Sequence, residues 1–190
     1  MIVTAKHSQQ KAVIPPPQPN IVRADSVVMV GVTIQNDLNM STHVATKIDS
    51  CSRTLFALKT LKAHGMPQTE LQEVFRASAL SSLLYAAPSW WGFTLATDRD
   101  RLSAFLNKAI KSGFHPPDSL SLNAVIERDQ NSLFKSIKQN SAHILYPLLP
   151  PKRDHGHNLR NRVHPFQIPP SVSTLHDKNF IPRMIRNNSY

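Results

Sequence analysis

Val44, Ile48, Cys51, Leu55 and Leu58 recur at spacings of 4, 3, 4 and 3, and this one stripe constrains the fold more than any other feature. The spacing lays five apolar side chains along one face of an α-helix and leaves the rest of its surface polar. The helix is bounded. Ser41 is suited to its N-cap, Gly65 to its C-terminal stop, and Pro67 lies just beyond. Upstream the period is different. Val27 to Ile34 is a β-branched run interrupted by Gly31, which reads as a strand with a bulge or a close backbone approach. A lone strand leaves its backbone groups unpaired, so its partners are expected in residues upstream of this sequence.

Further helices follow the first. Leu71, Val74, Phe75 and Ser78 share a face of a helix expected over 68–87, while Leu80, Leu83 and Leu84 spread around its axis, as in a helix central to a bundle. Pro88 is expected to end it, with Trp90 and Trp91 packing at the bundle's end. Thr97 and Asp100 have the spacing of a capping box, and Leu102, Phe105, Leu106, Ala109 and Ile110 form the stripe of a third helix ended by Gly113 and Pro116–Pro117. Shorter helices are expected at about 120–128 and 130–145, the latter carrying Leu133, Phe134, Ile137 and Ile144.

Prolines mark both ends of the chain. Four of the five residues 15–19 are proline, which implies an extended arm, and from Pro147 onward Pro, Arg and His are too frequent for regular structure. The expected fold class is therefore mostly α. A small helical bundle over 41–146 follows one short strand or hairpin at 27–40, with an extended Pro-rich arm over 1–26 and an irregular basic tail over 147–190.

Charge narrows the partners. The 190 residues carry a net charge of +10, and residues 152–190 hold 7 basic against 2 acidic side chains. Such a tail suits a polyanion, nucleic acid before an anionic membrane. Cys51 is the single cysteine, which excludes an internal disulfide and a Cys-rich zinc module and makes a reducing, intracellular location (cytoplasm or nucleus) the expectation. Residues 1–11 show no apolar signal segment, and 79–87 is too short to span a bilayer.

The residues offer no catalytic set. Two-metal nucleotidyl transfer needs paired carboxylates. Asp98 with Asp100 reads instead as helix-start chemistry, and Glu127 with Asp129 as a solvated turn at a helix junction. His155, His157, His164 and His176 lack an acid or thiol at ligand spacing and lie in a basic run that repels cations. Five glycines in all cannot form a phosphate-cradling loop. No cofactor, metal or small-molecule substrate is expected.

Several segments, in unbroken order over Pro15 to Arg186, resemble the region that follows the catalytic palm in reverse transcriptases of non-LTR (LINE-type) retrotransposons. They are "IPPPQPNIVRADSVVMVGVTIQNDLNMSTHV", "LFALKTLKAHGM", "SSLLYAAPSWW", "DRDRLSAFLNKAIK", "HILYPLLPPKRD" and "NFIPRMI". The resemblance implies that Val30, Gly31 and Val32 belong to a primer-grip hairpin and that the helices form a thumb, which holds an RNA or DNA primer–template through its phosphates. Arg53, Lys59, Lys108 and Lys111 are then the candidate phosphate contacts. The family's catalytic Asp pair has no counterpart here, so no RNA-directed DNA polymerase activity is expected of this chain. Departures at Met29–Val30, Ser81–Ser82 and Ser89–Trp91 imply a decayed or truncated element. Two other readings compete: a helical module whose basic tail docks an acidic protein or membrane surface, and a remnant reading frame without a selected role.

Overall fold

A computed structural model describes Pro16 and residues 19–152 and 164–187. Most of the Pro-rich arm, and His155 and His157 of the tail, lie outside the described residues. The chain is mostly α, with one short antiparallel hairpin ahead of the helices. It divides into two compact units, residues 1–122 and 123–190.

The first unit opens with strands β1 (Ser26–Met29) and β2 (Val32–Gln35), which pair with each other, Met29 opposite Val32. Of the strand or hairpin expected here the hairpin forms, so the run supplies its own partner where one upstream was expected for a lone strand. Gly31 is the second residue of a two-residue turn, not a bulge. Val30 at φ 47° and Gly31 at φ 77° give two successive left-handed residues, the twist that a tight hairpin needs. Val30 hid the turn, because a β-branched residue is a poor occupant of positive φ.

Helix α1 (Ser41–Ala63) follows the expected stripe: Val44, Cys51, Leu55 and Leu58 are buried and Ile48 is half-buried. Cys51 is a core residue, its thiol directed at the Ala79 carbonyl. Its C-terminus is closed by two reversed bonds, Gly65 N–H to Lys62 O and Met66 N–H to Leu61 O, with Gly65 at φ 88°. Its start is not as expected. Met40 occupies the N-cap, and Ser41 is the first helical residue, its hydroxyl donating to Asp98 Oδ2 at 2.6 Å.

The next helical stretch is broken where a single helix was expected. α2 (Gln68–Phe75) runs into a π-helical turn at Arg76–Leu80 and then α3 (Ser81–Leu84). Leu71, Phe75, Ala79 and Leu83 are buried at steps of four. Each such step overshoots a full α-turn by about 40°. The wider π-turn takes back that drift and holds the four on one face, which is why the sequence pattern spread around the axis. The helix ends at Leu84, because Tyr85 is extended and Ala86 left-handed at φ 53°. Pro88 therefore sits inside the next short helix, α4 (Ala87–Trp90), where the first turn tolerates it.

A 3₁₀ turn at Trp91–Phe93 leads to α5 (Ala96–Lys111). Leu102, Phe105, Leu106 and Ala109 are buried on the expected stripe. The capping box does not form. Leu95 is the N-cap, Thr97 lies within the first turn, and Asp98 is buried there with its carboxylate on Ser41 and Arg101. The C-terminus repeats that of α1, with Gly113 N–H to Ile110 O, Phe114 N–H to Ala109 O, and Phe114 fully buried.

The second unit contains all but the first residue of α6 (Leu122–Gln139), together with α7 (Thr174–Asp177) and α8 (Phe180–Asn187). α6 is continuous where two helices were expected. Leu122, Ile126, Gln130, Phe134 and Ile137 are buried at steps of 4, 4, 4 and 3, and the polar Gln130 in mid-stripe concealed that continuity. Glu127 and Asp129 lie mid-helix, and Ile144 is 87% exposed beyond the helix end. The segment after Pro147 is not irregular throughout: Ile181, Met184 and Ile185 of α8 pack with Phe134, Ile137 and Phe166 into the unit's core. Pro182 is accommodated in the first turn of α8.

Candidate nucleic-acid interface

The seven residues singled out in the sequence all fall in the first unit, in two groups at opposite ends of α1 with Arg53 midway between them. At the N-terminal end is the hairpin tip. Val30 is 78% exposed, Gly31 is exposed, and Val32 turns inward and is buried. The Tyr85 ring lies beside the turn, 3.4 Å from where a Gly31 Cβ would stand, and Lys47 Nζ sits 5.7 Å from the centre of that ring. Thr33 N–H donates to His43 Nδ1 at 3.3 Å, a bond that ties the hairpin to α1.

The second group lies at the C-terminal ends of α1 and α5. Lys62 Nζ donates to Ser112 O at 3.0 Å, while Gln68 and Gln72 both donate side-chain N–H to Gly113 O. These bonds set the last turns of α1 and α5 beside the start of α2. Lys59 and Lys62 thus share one end of the unit with Lys108 and Lys111. A helix C-terminus favours cations, so part of this charge answers the helix dipoles. Arg53, Lys59, Lys108 and Lys111 are all exposed and enter no ion pair among the described residues. Lys47 and Lys59 are twelve residues apart on α1, about 18 Å at the helical rise, so the hairpin tip and the lysine-rich end are separate sites.

Several polar groups lie buried inside the unit. His43 is 2% exposed, edge-on to Trp90 at 5.3 Å between ring centres, with Nε2 left without a partner. Burial, and after it the charge on Lys47, lowers its pKa below 6.5. Arg99 lies over the Trp91 ring at 4.7 Å and donates to Thr94 Oγ1 and Trp91 O. The Ser41–Asp98 pair is a hydroxyl on a carboxylate that a cation, Arg101, also holds, an arrangement that tethers two helix starts.

In the second unit His164 uses both ring nitrogens, Nε2 with Ile185 O at 2.8 Å and Nδ1 accepting from Phe166 N–H at 3.2 Å. Among the described residues no three His, Cys, Asp or Glu are grouped to hold a metal, and no helix is long and apolar enough to cross a membrane. Sequence reasoning missed Lys47 with Tyr85, whose exposure depends on the unforeseen left-handed Ala86, and Lys62, which lies one helical turn beyond Lys59. No family model matches the chain, and neither a curated protein nor a solved structure is significantly similar to it.

Proposed function

We propose that this protein binds nucleic acid through phosphates, without reading sequence, as the thumb of a LINE-type reverse transcriptase would, and that these residues carry out no catalysis of their own. The observation that carries the reading is the lysine-rich end of the first unit. There Lys59, Lys108 and Lys111 stand exposed and without ion pairs among the described residues, on helix ends that Lys62 ties together. Cations held on rigid helices but not neutralised by protein acids are what a phosphate backbone selects. The resemblance in the sequence supports the same assignment and adds the class of ligand, a primer–template duplex.

Titrating a labelled RNA–DNA duplex with the full chain at rising salt tests it. Log K is expected to fall with log salt at a slope of about −3, and replacing both Lys108 and Lys111 by Gln to flatten that slope by about 2. No binding at low salt, or a flat slope, overturns it. The exposed apolar run Val27–Val30, along β1 and into its turn, favours a second reading, a protein-interaction module. That reading expects an acidic protein to outcompete duplex.

A further inference from the structure

Phe56 stands on the outer face of α1 with 74% of its surface exposed, the most exposed aromatic ring among the described residues. Its neighbours on that face are Arg53, three residues before it, and Lys59, three after, one turn away on either side. Both are exposed and neither is in an ion pair among the described residues. Ser52, Thr60 and Ala63, also on this face, are too small to cover the ring. No cation and no second ring among the described residues lies against Phe56. By contrast Trp91, Phe114, Phe134 and Tyr85 each have a cation over the ring. The nearest acid on the face, Asp49, is two turns toward the N-terminus.

We infer that Phe56, with Arg53 and Lys59, is a stacking platform for an unpaired base of a single-stranded nucleic acid. The two cations are six residues apart, about 9 Å along the axis, and their long side chains reach the phosphates on either side of one nucleotide. The ring between them offers a free face. Within a duplex each internal base is already stacked on both sides and presents only its edge, so an outward ring gains contact there only at the two ends. A single strand can turn a base onto the ring, and any base suffices because each has a π-face. The inference rests on the nucleic-acid reading proposed above and adds the state of the strand and the residue that selects it.

The test uses the full chain with two probes at low salt, labelled oligothymidylate and a labelled blunt duplex. Phe56→Ala is expected to weaken oligothymidylate binding about tenfold, within the range for loss of one stacked base, and to change duplex binding less than twofold. Phe56→Trp is expected to restore it and to show indole fluorescence quenched by oligothymidylate and not by duplex. Because the ring is exposed, neither change should disturb the fold, and circular dichroism checks this. Equal loss on both probes, or no loss on either, overturns the stacking role. Wild-type binding to duplex with none to oligothymidylate overturns it and leaves the phosphate-binding reading standing; binding to neither overturns both.

Discussion

The hairpin and helix α1 are adjacent in the chain and both carry many apolar residues, yet they use them in opposite ways. In β1 every residue is exposed, Val28 at 68% and Met29 at 57%, and the strand is held by a turn and by pairing with β2. In α1 the residues of the stripe are turned to one side, with Val44, Cys51, Leu55 and Leu58 exposed to 2% or less, while Phe56 and Leu61 lie off it. Apolar content therefore does not say which segment makes the core. Period does: a helix stripe can meet other helices along its length, whereas a hairpin of two four-residue strands has only one small inward face.

The contrast breaks most visibly in the core of the first unit. Phe75 is fully buried, stacked on Phe105 at 6.5 Å and against His115. Phe75→Ala should cost about 3–5 kcal/mol, enough to unfold much of a unit this size, whereas Val28→Ala should stay within about 0.5 kcal/mol. Urea unfolding followed by circular dichroism measures both. If the two substitutions cost the same, the hairpin is as much a part of the core as the helices.

Next in size is the polar tether at the helix starts. Asp98 is 2% exposed and accepts from Ser41 Oγ and Arg101. Asp98→Ala removes a charge-assisted bond and leaves the Ser41 hydroxyl unpaired, a loss of about 1.5–3 kcal/mol. Asp98→Asn, which keeps an acceptor, should lose less. Equal losses would mean that the carboxylate charge contributes nothing there.

A smaller effect tests the joint between hairpin and helix. His43 accepts from Thr33 N–H, and its pKa is lowered mainly by burial. The unfolded chain therefore binds this proton more readily than the folded one. Stability is complete above about pH 6.5 and declines as pH falls below it. His115, also lowered by burial, acts in the same direction. His43→Asn preserves an acceptor for Thr33 and should flatten, without abolishing, the fall in urea midpoint between about pH 7 and 5. An unchanged profile would show that the folded and unfolded chains bind the His43 proton equally readily.

What the sequence made legible follows from the same difference. α1 and α5 were readable because their stripes are unbroken and Gly65 and Gly113 stop them at positive φ. The break after α2 was not, because a π-turn and a left-handed alanine leave no mark in composition. α6 was read as two helices because Gln130 holds a core position. At the candidate interface, the exposure of Arg53, Lys59, Lys108 and Lys111 follows from their places off the stripes. The meeting of the α1 and α5 ends does not, since it depends on Lys62, Gln68 and Gln72 reaching backbone carbonyls some 40 to 50 residues away. Phe56 was legible as a residue off the stripe; that its ring is uncovered needed the structure.

The smallest effect bears on the hairpin turn itself. Val30 at φ 47° and Gly31 at φ 77° occupy a turn in which Asn–Gly is the favoured pair, and a β-branched side chain is strained at the first position. Val30→Asn should relieve that strain and stabilise the turn by about 1 kcal/mol. The gain should be local, because so little of the hairpin is buried that its opening need not disturb the helices. It should therefore appear as slower hydrogen exchange at the paired Met29 and Val32 amides, with the melting of the helices almost unchanged. Slower exchange in the hairpin alone separates a register set by its turn from one set by the core. If Val30→Asn leaves those two amides unchanged and the helices melt higher instead, hairpin and helix form one cooperative structure, and the opposition between them is one of burial without being one of stability.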